Sequence, residues 1–447
     1  MVWILIAAIG CCYGWGMRGK IIGHGKGAML PGAILGTCVA FLSGSALVAE
    51  NWIICAALGA AGMFFGGGMT YGDTHHLASQ RANRRDLRRG LIGFAWKGVL
   101  WFGVAGGFLA FGVQALFGSD VYPLWVRITL PLLPIVLFPL GTQLFNRPHD
   151  REKGIRPKIY FSINAPECWG GYLLILVSIL AFAAAFGDTL TLLTVAFGAL
   201  GGGIGWVLAI ESDYHTSHPM KSGKYLLGKA AEKRYIDTWK IMEFVLGACG
   251  ALGVTFGFWL GLGDFVPRTA LGGCLLSRTA ELIIIGLWII GVIFDAWLEH
   301  TEYIEDWGDT IEQILYACLP LTLILLGSVT SAEIQACVLL LWVVVEKCCF
   351  NLNVDLAGNR LGSAVSLLAV IALLAGVLAG WTAPLWLGVV LYTAVYILFT
   401  AFCDFHPAIW KKAKVKTILG AYGSCVAVMI FFICSAGLFC LLTALNV

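Results

Sequence analysis

Ionisable residues in this sequence gather at the ends of long apolar segments, where charge is expensive. A charged group at membrane depth costs about 2.5 to 3.5 kcal/mol, so it usually faces the protein interior or water. Arginine and lysine there would bind an anion, histidine would exchange protons near neutral pH, and paired carboxylates would act as acid and base. Exposure at the membrane interface is the alternative explanation for many of them. The candidate substrate-binding residues are Arg18, His24, Asp73, His75, His76, Lys97, Glu211, Asp213, His215, Lys240, Glu243, Asp295 and Glu299.

Arg18 and His24 lie in a glycine-rich stretch, GWGMRGKIIGHGKGAMLPGAILG, which runs from Gly14 to Gly36. Glycine permits left-handed turns and close backbone approach. Beside hydrocarbon, irregular backbone is tolerated only where it is buried in protein or lines a cavity. The stretch therefore predicts a ligand-facing discontinuity between the first two membrane helices. The alternative is a short cytoplasmic loop whose cations follow the positive-inside rule.

Two segments with three consecutive glycines resemble each other. FGGGMTYGDTHH runs from Phe65 to His76, and LGGGIGWVLAIESDYH runs from Leu200 to His215. Each continues with a carboxylate, histidine, a basic loop, Trp-Lys and a glycine-rich helix, which predicts two parallel repeats about an axis along the membrane normal. The alternative is chance, because 56 of 447 residues are glycine. The glycines themselves fit tightly crossing helices or a cavity wall.

Two pairs of charged residues lie at helical spacing. Asp295 and Glu299 are one turn apart, so their like charges need a cation, a proton or solvent nearby. Glu243 follows Lys240 by three residues and can pair with it along one helix. The first pair is therefore the better candidate for function.

Asp73, His75 and His76 offer the oxygen and nitrogen ligands that divalent metals use. Adjacent histidines on a helix diverge by about 100°, however, so both rarely reach one ion. No cysteine pair with zinc spacing and no nucleotide-binding motif is present. The sequence therefore predicts neither a metal site nor a cofactor.

The composition indicates a membrane protein. Of the 447 residues 59% are hydrophobic and only 12% charged, whereas soluble proteins average about 25% charged, and the mean hydropathy is +0.85. Apolar runs of about 18 to 25 residues, long enough to cross hydrocarbon, recur throughout the chain. An all-α polytopic membrane protein with the lipid bilayer as partner is the expected class. The net charge of +3 predicts no nucleic-acid partner.

Fourteen transmembrane helices are predicted, with basic loops after odd-numbered spans. Positive loops mark the cytoplasm, which places both termini outside it. The two repeats would be four-helix units at 1–118 and 119–262, followed by a six-helix unit at 263–447. The predicted spans are 2–17, 28–49, 51–71, 91–117, 122–145, 169–187, 189–210, 239–262, 281–297, 312–329, 333–350, 363–380, 384–403 and 418–445.

These features favour a secondary transporter of the cell inner membrane for a small polar or anionic solute, coupled to an ion or a proton. Arg18 and His24 would hold the solute. The carboxylates of Asp73, Glu211 and Asp295 would bind the coupling proton or Na⁺. Many spans, a repeat and the absence of an ATP-binding motif support this interpretation.

The alternative is a membrane-embedded hydrolase or transferase that acts on a sugar or lipid-linked substrate. Asp73 and Glu211 would then be a general acid/base pair at the cytoplasmic face. Lys97, Lys240 and Arg18 would orient the substrate. A third interpretation is a structural subunit, in which the buried ionisable residues pair among themselves.

Overall fold

The computed structural model describes residues 1–345 with gaps at 22–23, 70, 120–121, 151, 163–164, 227–237 and 301–307. Throughout the described residues the regular secondary structure is helical, with no β-strand. The predicted all-α class is confirmed for this part of the chain. The predicted spans at 363–380, 384–403 and 418–445 lie outside the described residues.

Fifteen α-helices are assigned in the described residues, and short 3₁₀ or π turns separate some of them. The 3₁₀ turns are Phe65–Gly68 and Leu262–Asp264, and the π turn is Ile314–Cys318. The helices are α1 Val2–Ile21, α2 His24–Leu42, α3 Ala46–Glu50, α4 Trp52–Phe64, α5 Tyr71–Gln80, α6 Arg84–Phe117, α7 Leu124–Leu132, α8 Pro134–Asn146, α9 Trp169–Ala185, α10 Thr189–Ser217, α11 Thr238–Gly261, α12 Arg278–His300, α13 Gly308–Gln313, α14 Leu319–Leu325 and α15 Val329–Val345.

Several of these helices are long and apolar enough to cross a membrane, by length and composition. Among the described residues four qualify, and two bent pairs raise the number to six if each pair is one span. The count of fourteen and the repeat organisation stay predictions. The four are Gly25–Leu42, Arg84–Phe117, Thr189–Ser217 and Trp239–Asp264, and the pairs are Trp52–Gly68 with Tyr71–Gln80 and Leu124–Leu132 with Pro134–Asn146.

Helix α6 is the longest in the described chain and carries much of the candidate site. Its 34 residues extend about 51 Å, more than the hydrocarbon thickness. The Asn83 side chain accepts from the backbone N–H of Asp86 (2.8 Å) and caps the first turn. The helix therefore begins at Arg84, so most of the basic segment expected as a loop after the third span is helical.

The glycine-rich stretch is more regular than its composition predicts. Helix α1 continues through Gly14, Gly16 and Gly19 to Ile21, and α2 begins at His24. The glycines instead allow close packing. A Cβ on Gly14 would lie 3.0 Å from the Pro31 backbone, and one on Gly16 would lie 1.8 Å from the Phe244 ring.

Helices α2 and α4 pack with their backbones in contact. A Cβ on Gly36 would lie 1.9 Å from the carbonyl oxygen of Cys55, and one on Gly32 would lie 2.3 Å from that of Gly59. Glycine at both crossings permits a separation that no larger residue allows. This contact fixes α4, and hence the 3₁₀ turn that follows it, against the first helical hairpin.

We expect Gly36→Val to separate α2 from α4, because its side chain meets backbone that cannot rotate away. The expected cost is about 1 to 3 kcal/mol or more, measured as a lower melting temperature of the purified protein. Gly286→Val is the matched control, since a Cβ at Gly286 meets nothing within 4 Å. Equal melting temperatures for the two variants would contradict the packing argument.

The chain divides into two compact units by its internal contacts. One comprises Met1–Glu211 with Met242–Val338, and the other comprises Ser212–Ile241 with Leu339–Val447. Within the described part of the second unit, the end of α10 is held by a Tyr214–His218 ring stack at 4.4 Å. The candidate site described next lies in the first unit.

Candidate functional site

Arg18 lies buried among aromatic rings contributed by helices α1, α5 and α6. Its guanidinium carbon is 4.8 Å from the ring centre of Trp15, 5.1 Å from Trp101 and 5.5 Å from Tyr71. Only 2% of the residue is exposed. A desolvated cation over a ring gains about 2 kcal/mol or more. We call these four residues, together with Trp206 of α10, the Arg18 cluster.

Trp206 packs against two of the three rings that contact Arg18. Its ring centre is 5.2 Å from Tyr71 and 6.5 Å from Trp101. Trp15 in turn packs edge-on against Trp101 at 4.8 Å. Four helices, α1, α5, α6 and α10, therefore bring one cation and four aromatic rings together in the first unit.

The Arg18 cluster contains buried N–H donors without acceptors. Nε and Nη1 of Arg18 and the indole nitrogens of Trp15 and Trp206 have no hydrogen-bond partner. Trp101 differs, because its indole N–H donates to the carbonyl of Met63 (2.9 Å). Leaving a buried donor unsatisfied costs about 1 to 3 kcal/mol, and more for a charged group. These donors are therefore candidates for binding an acceptor.

Glycines of the first triple-glycine segment and of α6 create the space that these tryptophans occupy. A Cβ on Gly66 would lie 2.0 Å from the Trp101 ring. A Cβ on Gly98 would lie 2.2 Å from the carbonyl oxygen of Gly202 and 2.5 Å from the Trp206 ring. Close packing, the commoner reason for such glycines, thus also positions the cluster.

A second buried group is centred on Lys97, one helical turn before Trp101 on α6. Its ammonium lies 3.3 Å from the Glu167 carboxylate and donates to the Thr74 hydroxyl (2.7 Å). The Lys97 and Glu167 side chains are 1% and 0% exposed. Thr74 follows Tyr71 by one turn of α5, so this ion pair borders the Arg18 cluster on two helices.

Glu167 belongs to the segment Tyr160–Cys168, which we call the strap. The Glu167 carboxylate accepts from the backbone N–H of Phe161 (3.1 Å) and the Ser162 hydroxyl (2.9 Å). Asp73 accepts from the backbone N–H of Ala165 (2.6 Å), which ties the described residues of the strap to α5.

At its start the strap is held to α6, because the Arg89 Nε donates to the Tyr160 carbonyl. Arg89 and Arg156 also lie over the Tyr160 ring, each at 5.3 Å. Burial raises the pKa of the Tyr160 phenol, while the Arg156 guanidinium acts in the opposite direction. The strap is thus anchored by charge at both ends.

A third buried group places a cation beside Asp295, the residue predicted to need a cation, a proton or solvent. Lys26 of α2 lies 3.1 Å from the Asp295 carboxylate and 2.9 Å from that of Glu312. The Tyr316 hydroxyl donates to Asp295 (2.9 Å), and the Lys26 ammonium is 5.3 Å from the Tyr316 ring. The side chain of Glu299, the expected neighbour of Asp295, lies outside the described residues.

The structure keeps Asp73 and Glu211 in separate contacts. Asp73 binds the strap near the start of α5, whereas Glu211 pairs with Arg81 (2.7 Å) just past its end. Position 73 and position 81 are separated by about 12 Å along a helix axis. Each carboxylate therefore has a contact on a different segment of the chain.

The remaining predicted residues are dispersed. His75 contacts the Ser79 hydroxyl (3.4 Å), and its ring is 6.1 Å from that of His76. No group of three potential metal ligands occurs among the described residues. The His24 side chain lies outside them. Glu243 is buried in the first unit, whereas the second unit contains Asp213 (buried), His215 (exposed) and Lys240 (half-buried).

Sequence inspection missed the partners that give this site its character. Trp15, Trp101, Trp206, Thr74 and Glu167 were not among the candidates. The spacing of Trp15 and Arg18, one turn apart on an apolar helix, is a local signal that could have linked those two. The other contacts join residues far apart in the chain and have no local signature.

We expect Glu167→Ala to destabilise the protein strongly, because it leaves the Lys97 ammonium buried without its carboxylate. Breaking one side of a buried ion pair costs about 3 to 5 kcal/mol. Thermal unfolding of the purified protein measures this loss. The double variant Lys97→Met with Glu167→Leu should recover most of the stability, and a double variant as unstable as the single one would contradict this account.

A search of family models, of curated proteins and of solved structures finds no match to this chain.

Proposed function

We propose that this chain is a secondary transporter of the cell inner membrane that carries a small polar or anionic solute, coupled to a proton or Na⁺. The observation that carries the proposal is the buried guanidinium of Arg18, whose Nε and Nη1 have no hydrogen-bond partner. A cation that is desolvated but not neutralised is expensive, so a bound anion is the natural counter-charge.

The setting of Arg18 supports transport over a surface binding role. The tryptophans of the Arg18 cluster are about 1% exposed, and Trp101 and Trp206 belong to two of the helices that could cross a membrane. Solute sites of secondary transporters lie between helices in this way. The basic loops after odd-numbered predicted spans support the proposed orientation, with both termini outside the cytoplasm.

The group around Lys26 is the proposed coupling element. Asp295 and Glu312 share one ammonium, so a proton or Na⁺ arriving at either carboxylate would weaken that carboxylate's own contact with Lys26 and shift the ammonium toward the other. Lys26 lies in the first turn of α2, and α2 directly follows α1, which carries Arg18. Coupling would therefore act through the hairpin of α1 and α2.

The two alternatives draw less support. An acid/base mechanism needs Asp73 and Glu211 to face one substrate, whereas each has a separate partner at opposite ends of α5. A structural subunit would pair its buried charges among themselves, which Lys97 and Lys26 do. Arg18 does not fit that expectation, because its Nε and Nη1 have no hydrogen-bond partner.

We expect Arg18→Gln to lower solute uptake at least about tenfold, the factor that corresponds to 1.4 kcal/mol of lost binding. Uptake is measured in proteoliposomes with labelled nitrate, monocarboxylates, dicarboxylates and phosphate, under an imposed pH or Na⁺ gradient. Arg18→Lys should not restore it, since an ammonium lacks the guanidinium fork.

The matched control is Arg84→Gln, because Arg84 is exposed at the start of α6. It should leave uptake unchanged. Arg18→Gln with normal uptake, or a wild-type protein that moves none of these anions under either gradient, would contradict the proposal.

We expect Asp295→Asn to abolish uptake driven by a pH or Na⁺ gradient while solute exchange at equilibrium continues. The amide keeps the shape of the carboxylate but cannot take up the coupling charge. Both modes are measured in the same proteoliposomes, with Asp150→Asn as control because Asp150 pairs with an exposed lysine, Lys153. Loss of both modes together would show a structural role instead.

A further inference from the structure

We infer that the Arg18 cluster binds a small, weakly hydrated monovalent anion of the nitrate class, held directly by Arg18 and by the indole N–H groups of Trp15 and Trp206. Binding itself requires only the cluster. The inference rests on the proposed function for the step from a bound anion to a transported one.

The donors decide the charge type of the ligand. Guanidinium and indole groups donate hydrogen bonds and accept none. The bare groups are Nε and Nη1 of Arg18 and the two indole nitrogens, all in one aromatic environment. Four donors without an unpaired acceptor fit a ligand that offers only acceptors. The ammonium of an amino acid or a polyamine would find no partner among them and would meet the charge of Arg18.

The number of cations decides the magnitude of the charge. Arg18 has no carboxylate within ion-pair distance among the described residues, so it contributes one uncompensated positive charge. Lys97 of α6 adds no free positive charge, because it is bound by Glu167 at 3.3 Å and is also attracted by Asp73. A monovalent anion therefore leaves a neutral pair, whereas a divalent one would bury an unmatched negative charge.

The spacing of the rings decides the size. Trp15 and Trp101 are 4.8 Å apart, and Trp101 and Trp206 are 6.5 Å apart. These are contact distances for aromatic pairs, so no planar ligand fits between the rings. The ligand must sit at the ring edges, where the indole nitrogens are. The close ring packing therefore favours a small ligand, such as nitrate or formate, over a larger one such as succinate.

Dehydration decides between small anions. An anion that enters a site with 1–2% exposure leaves its water behind, and the five N–H bonds of the four donor nitrogens replace only part of that hydration. Nitrate is weakly hydrated and therefore loses less hydration free energy on entering the site than fluoride or chloride does. The expected order of affinity is nitrate above formate and chloride, with sulfate and phosphate excluded.

The experiment is calorimetric titration of the purified full-length protein with sodium nitrate, with sodium sulfate at equal ionic strength as comparison. We expect saturable nitrate binding and none for sulfate. Trp15→Phe and Trp206→Phe should each weaken nitrate binding about tenfold, the effect of one lost hydrogen bond to a charged group.

Trp169→Phe is the matched control. It removes a buried indole N–H that has no hydrogen-bond partner but lies outside the Arg18 cluster, so nitrate affinity should stay within about twofold. A melting curve for every variant separates lost binding from lost folding. Trp169→Phe weakening nitrate as much as Trp15→Phe would overturn the assignment of the indole donors.

Further outcomes separate the inference from the proposed function. No saturable nitrate binding, or equal binding of sulfate, would overturn the inference and leave water as the partner of the donors. If nitrate binds but is not taken up by proteoliposomes, the inference holds and the proposed function is wrong. If a divalent or zwitterionic solute is transported in an Arg18-dependent way while nitrate does not bind, the proposed function holds and the inference is wrong.

Discussion

The described structure depends on helices that touch backbone to backbone at glycine. Gly98 on α6 and Gly202 on α10 each lie where a Cβ would meet the carbonyl oxygen of the other, at 2.2 and 2.3 Å. In lipid there is little hydrophobic drive between helices, so such contacts supply much of the association energy. Because α6 and α10 approach this closely, Trp101 and Trp206 are forced into one layer, and the Arg18 cluster forms around them.

Buried charge is handled in two different ways within that frame. Lys97 and Lys26 are neutralised by carboxylates and supported by the hydroxyls of Thr74 and Tyr316. Arg18 is held only by ring faces. A ring attracts a cation through its quadrupole but does not cancel its charge. Of these three buried cations, Arg18 is therefore the one without a carboxylate within ion-pair distance among the described residues.

Sequence reasoning reached the all-helical architecture because long apolar runs and glycine spacing are local properties. It also drew attention to Arg18 and to both triple-glycine segments. It missed Glu167, because one carboxylate in a polar connection has no periodicity, and its bond to Lys97 joins residues far apart in the chain. Its pairing of Asp73 with Glu211 rests on pattern similarity and stays a prediction, while the structure shows Asp73 in contact with Ala165 and Glu211 in contact with Arg81.

The position of Glu167 has a consequence for Arg18. Lys97 precedes Trp101 by one turn of α6, so without a carboxylate the region would contain two uncompensated cations and would favour a divalent anion. The strap supplies one carboxylate, fixed by Phe161 and Ser162, and Asp73 of α5 also acts on Lys97, so Lys97 adds no free positive charge to that of Arg18. For the anion that we propose, a polar connection outside the long helices thus limits the charge that the Arg18 cluster favours.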